Sequence, residues 1–256
     1  MCMGLVAATR IMNTNTTRTR THTRTNMTTT ATDLSLARLL RLASPVLPVG
    51  AFSYSQALEW AVEAGTVKDA DSALRWIGDA FMLTLARGEA PVLLRLLNGW
   101  NNNDLPAIQH WNDFFLASRE GAELRAEALQ MGRAMRTLIV RSNEFPAQVS
   151  EWLDLLEEPA YPAAFAAAVS AWQIAPRAAL TAYLWSWAEN QVVAAMKLVP
   201  LGQTDGQRLL AALIDRMPAA LDEILVREDD DIGTLAHGFA IASAQHETQY
   251  SRLFRS

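Results

Sequence analysis

Residues 120–141 read EGAELRAEALQMGRAMRTLIVR, and their spacing predicts a helix that packs on other helices. The apolar members recur at alternating intervals of four and three residues, which keeps them on one helical stripe. They are Leu124, Ala128, Met131, Met135 and Leu138. Methionine on such a stripe is typical of core packing rather than of a cofactor site, so we expect Met131 and Met135 to fill the core.

Helical spacing continues along nearly all of the chain from Asp33 onward, and strand-like alternation is scarce. Asp33 is expected to cap the first helix. Capping boxes are expected at Ser53 with Gln56 and at Thr204 with Gln207. Further helices are predicted over 70–87, 89–99, 104–117, 120–141, 146–157, 162–173, 176–198, 205–226 and 233–246. The sequence therefore predicts one all-α domain, a bundle of about ten helices, over residues 33–256.

Residues 1–32 differ in composition from the rest of the chain. They are rich in Thr and Arg and contain no acidic residue. An organelle transit peptide, a disordered extension, or upstream sequence read before a start at Met27 would each explain this composition. We treat 1–32 as a disordered Thr/Arg-rich leader and leave it out of the fold.

The composition bounds the possible classes of protein. The 256 residues are 50% hydrophobic and 19% charged, which excludes a mainly disordered chain. A net charge of −5 argues against nucleic acid as the main ligand. The single cysteine, Cys2, excludes internal disulfides. Since no apolar run is long enough to span a bilayer, we expect a cytoplasmic protein with no membrane partner.

Catalytic motifs are missing from the sequence. No Gly-Lys dipeptide is available for a phosphate-binding loop, and no G-x-S-x-G elbow is present. The four histidines are scattered. The acidic run at 228–231 is interpreted as a solvated loop, with a divalent-ion site as the alternative. We therefore predict no catalytic residue, no cofactor and no metal site, and a protein that is not an enzyme.

A turn at residues 44–56 contains two prolines and Gly50, which fix the path of the chain. The large side chains of Phe52 and Tyr54 lie in this turn, beside the predicted start of a helix. Two interpretations remain open. The turn either connects two helices and nothing more, or it also forms a surface for another protein.

The helix predicted over 176–198 carries polar residues on an otherwise apolar stripe, which consists of Tyr183, Trp187, Asn190, Ala194 and Lys197. Buried polar groups need hydrogen-bond partners. Either Lys197 extends past the helix end into solvent and Asn190 bonds a neighbouring backbone, or both meet a partner or line a polar cavity.

The last residues of the chain have the composition of a protein interface. Tyr250, Leu253 and Phe254 alternate with Arg252 and Arg255, and aromatic residues and arginine are enriched at interface hot spots. We expect an arm that docks on another chain. The alternative is that this segment docks on the core of its own domain.

Several of these segments together resemble the UreF family of urease accessory proteins. The residues that carry the resemblance are Ser44-Pro45, Leu47-Pro48, Gly50, Phe52 to Gln56, Leu58-Glu59, Glu120, Glu123 to Arg125, Gln130 to Gly132, Trp187, Glu189 to Gln191, Lys197, Pro200 to Gln203, Gln207 and Ala242 to Ser256. One departure is Ala57, which stands where glycine is expected in many relatives.

The resemblance implies a dimerising, non-enzymatic scaffold that joins UreD (also called UreH), the GTPase UreG and apo-urease for GTP-dependent nickel insertion. An alternative function is activation of the UreG GTPase. Contacts with UreD or UreG are implied around Tyr54 and at Arg252 to Ser256. The candidate partner-binding residues are Phe52, Tyr54, Gln56, Glu59, Lys197, Gln203, Tyr250, Arg252, Leu253, Phe254 and Arg255.

Overall fold

Helices are the regular secondary structure of the described part of the chain, and this confirms the predicted all-α class. The computed structural model describes Met1 and residues 26–256, with side chains from residue 33 onward. Within these residues there is no strand. The α-helices are α1 (Asn26–Leu42), α2 (Leu58–Glu63), α3 (Ala70–Ala80), α4 (Ala90–Asn101), α5 (Leu105–Ala117), α6 (Ala122–Ser142), α7 (Ala147–Leu155), α8 (Tyr161–Ala171), α9 (Pro176–Leu198), α10 (Gln203–Ile214), α11 (Met217–Val226) and α12 (His237–His246).

Helix α8 is the centre of the core. Its residues from Tyr161 to Val169 are all buried, and α4 and α6 pack on it from two sides. Gly132 of α6 permits a close approach of the backbone that enters α8, because a Cβ at this position would lie 2.0 Å from the carbonyl oxygen of Pro159. Met131 and Met135 are buried in the core, as their spacing predicts.

The first helix begins earlier than predicted. Helix α1 starts at Asn26, so Asp33 lies inside it and does not cap it. Residues 26–32, assigned to the leader from composition, are part of this helix, whereas residues 2–25 of the leader lie outside the described residues.

Both predicted capping boxes are wrong. Gln56 and Ala57 have φ angles of 51° and 66°, in the left-handed region, so no right-handed helix can include them and α2 begins only at Leu58. Helix α10 begins at Gln203, which places Thr204 within its first turn.

Two predicted helix boundaries also differ. The helices predicted over 70–87 and 89–99 are not separated, because residues Phe81–Glu89 continue as a π-helix that joins α3 to α4. Conversely, the helix predicted over 205–226 is two helices, because Pro218 occupies the first turn of a new helix, α11, after Asp215 and Arg216.

The acidic run at 228–231 is exposed and contains a short 3-10 turn at Asp229–Asp231. The guanidinium of Arg95 donates to Asp229 over 2.8 Å. No helix in the described part of the chain is long and apolar enough to cross a membrane.

Candidate functional site

The C-terminal residues 252–256, called the terminal segment below, dock on the chain's own core. The backbone N–H and the hydroxyl of Ser55 donate to the carbonyl oxygen of Ser256 over 2.7 and 2.6 Å. The backbone N–H of Arg255 donates to the carbonyl oxygen of Ser53 over 2.9 Å. The alternative, docking of this segment on the core of its own domain, therefore describes the backbone of residues 255 and 256, which bonds Ser53 and Ser55 of the same chain. Docking of the outward side chains on another chain stays a prediction.

The carboxylate of Glu59 binds the backbone of the terminal segment. Its two carboxylate oxygens accept the backbone N–H groups of Leu253, at 2.6 Å, and of Phe254, at 2.9 Å. Glu59 lies at the start of the short helix α2, and its side chain is buried. A buried carboxylate needs hydrogen-bond donors, and the terminal segment that folds over Glu59 supplies them. This contact accounts for a buried glutamate after Leu58.

The Phe254 side chain is the apolar anchor of the terminal segment. The ring is buried, and the ammonium of Lys197 lies 5.4 Å from its centroid. Lys197 itself is exposed near the end of α9. This agrees with the interpretation in which its side chain extends past the helix end into solvent.

His246, the last residue of α12, is fully buried between two carboxylates. Its Nδ1 lies 2.6 Å from Glu123, and its Nε2 lies 3.3 Å from Glu59. The guanidinium of Arg252 contacts the other oxygen of Glu123. Residues from α2, α6, α12 and the terminal segment thus meet in one polar cluster.

Glu127, one turn further along α6, lies beneath the end of the chain. Its carboxylate accepts the amide of Gln56 over 2.7 Å and the hydroxyl of Ser256 over 2.8 Å. Burial raises the pKa of Glu127 to about 7 despite these two hydrogen bonds. The indole N–H of Trp187 donates to the other end of the Gln56 amide over 2.7 Å, which fixes that side chain.

Tyr54 is also buried and bonded within the chain. Its hydroxyl donates to Gln130 over 2.8 Å, and Arg255 donates to the same oxygen over 3.1 Å. Burial raises the pKa of the Tyr54 phenol. Asn190 donates to the carbonyl oxygen of Tyr54 over 3.0 Å, so this residue bonds a neighbouring backbone, as one interpretation predicts.

A cavity of about 140 Å³ lies beside Gln56 and Glu127, and its wall includes Asn190 and Trp187. Its wall also includes Glu89 and Arg119, which form an ion pair over 3.1 Å.

Glu89 also accepts the hydroxyl of Tyr183 at the cavity wall. Burial and the nearby Glu89 charge raise the pKa of Tyr183 well above its ordinary value. Among the described residues, no group of three or more His, Cys, Asp or Glu side chains is arranged to hold a metal ion.

An exposed surface remains around the docked segment. The side chains of Phe52 and Leu253 are 59% and 65% exposed, and Tyr250 is fully exposed. Arg252 and Arg255 are also exposed although each makes one polar contact. This set is called the terminal surface below: Phe52, Tyr250, Arg252, Leu253 and Arg255.

The structure separates the candidate residues into groups. Tyr54, Glu59 and Phe254 are buried, and Gln56 is half-buried. Glu59 bonds the terminal segment directly, Phe254 is that segment's buried anchor, and Tyr54 and Gln56 bond Gln130 and Glu127. Gln203 is exposed at the start of α10, and in the described part of the chain no hydrogen bond joins it to the cluster.

Sequence reasoning missed three residues of the cluster, namely His246, Glu123 and Glu127. His246 and Glu123 belong to the motifs that carry the family resemblance, so these motifs could have identified both as candidate site residues. Glu127 gave no signal, because its spacing on α6 does not distinguish it from a solvent-facing glutamate.

Comparisons with known proteins agree with the motifs. A family model described as UreF matches residues 67–214. The chain is similar to the urease accessory protein UreF of Dechloromonas aromatica, with 52% identity over 227 residues that cover 88% of this chain and 99% of the relative. It is similar to UreF of an Azoarcus strain, with 51% identity over 226 residues, 87% of this chain and 96% of the relative. UreF of Methylobacillus flagellatus is 45% identical over 222 residues, 87% of this chain and 98% of the relative. With a matching family model and relatives that align over nearly their full length, the chain belongs to the UreF family of urease accessory proteins.

Proposed function

We propose that this protein is a non-enzymatic scaffold that joins UreD (UreH), the GTPase UreG and apo-urease, so that GTP hydrolysis by UreG is coupled to insertion of nickel. Nickel is the cargo in this scheme and not a resident cofactor. We further propose that the scaffold acts as a homodimer in the cytoplasm. Membership in a family of urease accessory proteins supports the proposal.

The terminal surface is the observation that carries the proposal. Three large apolar or aromatic side chains and two arginines are exposed on the docked terminal segment or close to it in the chain or in space. Exposed aromatic residues flanked by arginine are the usual composition of an interface hot spot.

The fixed position of the terminal segment is the second observation that supports the proposal. The backbone of the terminal segment is fixed by hydrogen bonds to Ser53, Ser55 and Glu59, so the points from which its outward side chains project are already set. A rigid presentation reduces the conformational entropy that a partner's binding must overcome. The buried part of the segment thus positions the exposed part.

The test is reconstitution of the complex. The protein is mixed with UreD and UreG, and the mass is measured by size-exclusion chromatography with light scattering. We expect a ternary complex with the natural chain, and its loss when Tyr250→Ala and Leu253→Ala are combined. Arg208→Ala, on the exposed side of α10, is the control because it removes a large exposed side chain elsewhere. If the double variant assembles as well as the natural chain, the terminal surface is not the docking site.

Two further measurements belong to the same experiment. The mass of the protein alone reports whether it forms the expected dimer, and cell fractionation reports whether it is cytoplasmic. Urease activation with nickel, GTP and the full set of proteins should fall with complex formation. If the protein instead accelerates multiple-turnover GTP hydrolysis by UreG and a single Arg255→Ala change abolishes that acceleration, the chain is a GTPase activator and the scaffold proposal is replaced.

A further inference from the structure

The cavity beside Gln56 and Glu127 has the lining of a small-molecule site. It lies between the 44–52 turn and helices α6, α8 and α9, and most of the side chains in its wall are apolar. Phe115 and Tyr161 form part of the buried wall, whereas Phe52 and Val193 line the cavity and also reach the protein surface. A ligand can therefore enter past Phe52 and Val193, which are called the mouth below.

The volume of the cavity sets the size of a ligand. It is about 140 Å³. In another protein, an apolar cavity of about 150 Å³ binds benzene, which has six heavy atoms. We therefore expect a ligand of about six heavy atoms that is largely hydrocarbon.

Four charged side chains belong to the wall, and three of them are already satisfied. Glu89 and Arg119 form an ion pair over 3.1 Å. The carboxylate of Glu127 accepts two hydrogen bonds. Glu189 is the exception, because no hydrogen bond or ion pair joins its side chain to any residue that the structure describes. The wall therefore offers one carboxylate that a ligand can bind.

Glu189 lies on the edge of α9 that faces the cavity. Ser186, Glu189 and Val193 follow one another at intervals of three and four residues, which places them on one side of the helix, and all three line the cavity. Glu189 is half-buried, and this burial raises the pKa of its carboxyl because the charged form loses water there. A carboxylate that has lost water without gaining a donor is stabilised by a ligand that brings one.

Asn190 adds a second acceptor at the same place. Its side-chain nitrogen donates to the carbonyl oxygen of Tyr54 over 3.0 Å, which fixes the amide. Its side-chain oxygen has no hydrogen bond among the residues that the structure describes, and Asn190 lines the cavity next to Glu189 in the chain. An ammonium group has three N–H donors and can bond both acceptors at once.

We propose that this cavity binds a small alkylammonium ion, with the ammonium at the Glu189 carboxylate and the Asn190 side-chain oxygen and the hydrocarbon chain among the apolar side chains. An anion would meet the charge of Glu189. A metal ion is not favoured either, since among the described residues no three His, Cys, Asp or Glu side chains are arranged to hold one.

An NMR titration of the isolated ¹⁵N-labelled chain tests the proposal without any partner, so its outcome is independent of the scaffold function. The probe is n-pentylammonium chloride, and 1-pentanol has the same chain without the charge. Sodium chloride keeps the ionic strength equal in the two titrations. We expect saturable shifts of the Asn190 side-chain amide and the Val193 backbone amide. The dissociation constant should be at least about tenfold lower for n-pentylammonium, because a hydrogen bond to a charged group is stronger than one between neutral groups.

Two variants locate the ligand. Glu189→Gln keeps the shape of the side chain and removes its charge, so it should raise the dissociation constant of n-pentylammonium at least about tenfold and leave that of 1-pentanol within about threefold. Glu151→Gln, the same change at an exposed position of α7 outside the cavity, is the matched control and should alter neither constant. Val193→Trp places a large ring at the exposed mouth and should abolish binding of both probes.

Equal affinity for the two probes in the natural chain would overturn the proposal. Unchanged binding of n-pentylammonium by Glu189→Gln would do the same, because the charge of Glu189 would then contribute nothing. Saturable shifts that persist in Val193→Trp would place the ligand outside this cavity. If neither probe causes saturable shifts, the cavity is not a site for this class of ligand.

Discussion

Replacing Glu59 by Gln should release the terminal segment while leaving the helical core intact. The side chain of Glu59 accepts two backbone N–H groups, from Leu253 at 2.6 Å and Phe254 at 2.9 Å. Glutamine keeps the shape of the side chain but offers only one acceptor oxygen. Its amide group would face the second N–H, donor against donor.

The magnitude follows from the bonds that change. A hydrogen bond to a charged group contributes about 1.5–3 kcal/mol, and Glu59→Gln removes one such bond and weakens the other. We expect docking of the segment to weaken by about 2–3 kcal/mol. This corresponds to a roughly 30- to 150-fold fall in the docking equilibrium. The midpoint of global unfolding should change little, because the segment lies at the end of the chain and can detach alone.

Amide hydrogen exchange read by NMR measures this directly. The amides of Leu253, Phe254 and Ser55, which all depend on the docked segment, should lose protection by the stated factor, whereas amides of α8 should not. Glu63→Gln is the control, since it makes the same chemical change one turn later on α2, at an exposed site. If the two variants agree at all three amides within about threefold, Glu59 does not hold the segment and the geometric argument fails.

Three other changes give separable outcomes. Gly132→Ala should lower the free energy of unfolding by at least about 3 kcal/mol in denaturant titrations, because the new Cβ would lie 2.0 Å from the Pro159 carbonyl oxygen. Gly238→Ala is the comparison, since Gly238 lies in a helix and a Cβ there would meet nothing within 4 Å. This change should raise the free energy of unfolding by about 0.5–1 kcal/mol. Equal effects of the two substitutions would contradict the close packing of α6 on α8. Burial raises the pKa of Glu127 from 4.5 to about 7 in the folded chain. The protonated side chain therefore favours folding below pH 4.5, and this contribution is lost as the pH rises through 7. The free energy of unfolding should fall by about 3 kcal/mol over that range. Glu127→Gln should remove that slope in urea titrations at several pH values, and an unchanged slope would show that another group causes it. Phe254→Ala removes a buried ring and should weaken docking of the terminal segment by about 3 kcal/mol. We expect faster proteolysis of the C-terminus at an unchanged melting temperature. A large fall in melting temperature would instead mean that the segment is part of the global fold.

Spacing alone was sufficient for the helical class and for the burial of Met131 and Met135 on α6. Met131 and Met135 are buried because an apolar stripe at helical spacing has to face other helices, whichever they are. Helix ends were less predictable. Gln56 and Ala57 adopt left-handed backbone angles that permit Gln56 to reach Glu127 and Trp187, and a local capping pattern contains no information about such distant partners.

The sequence by itself determined that the last residues have the composition of an interface and that the family motifs run through them. Only the tertiary structure decided that Phe254 and Ser256 face inward while Tyr250 and Leu253 face outward. The physical reason is that Ser55, Glu59, Glu123 and Glu127 lie more than a hundred residues before the terminal segment along the chain. Their hydrogen-bonding groups need partners once buried, and the fold supplies those partners from the terminal segment and from His246.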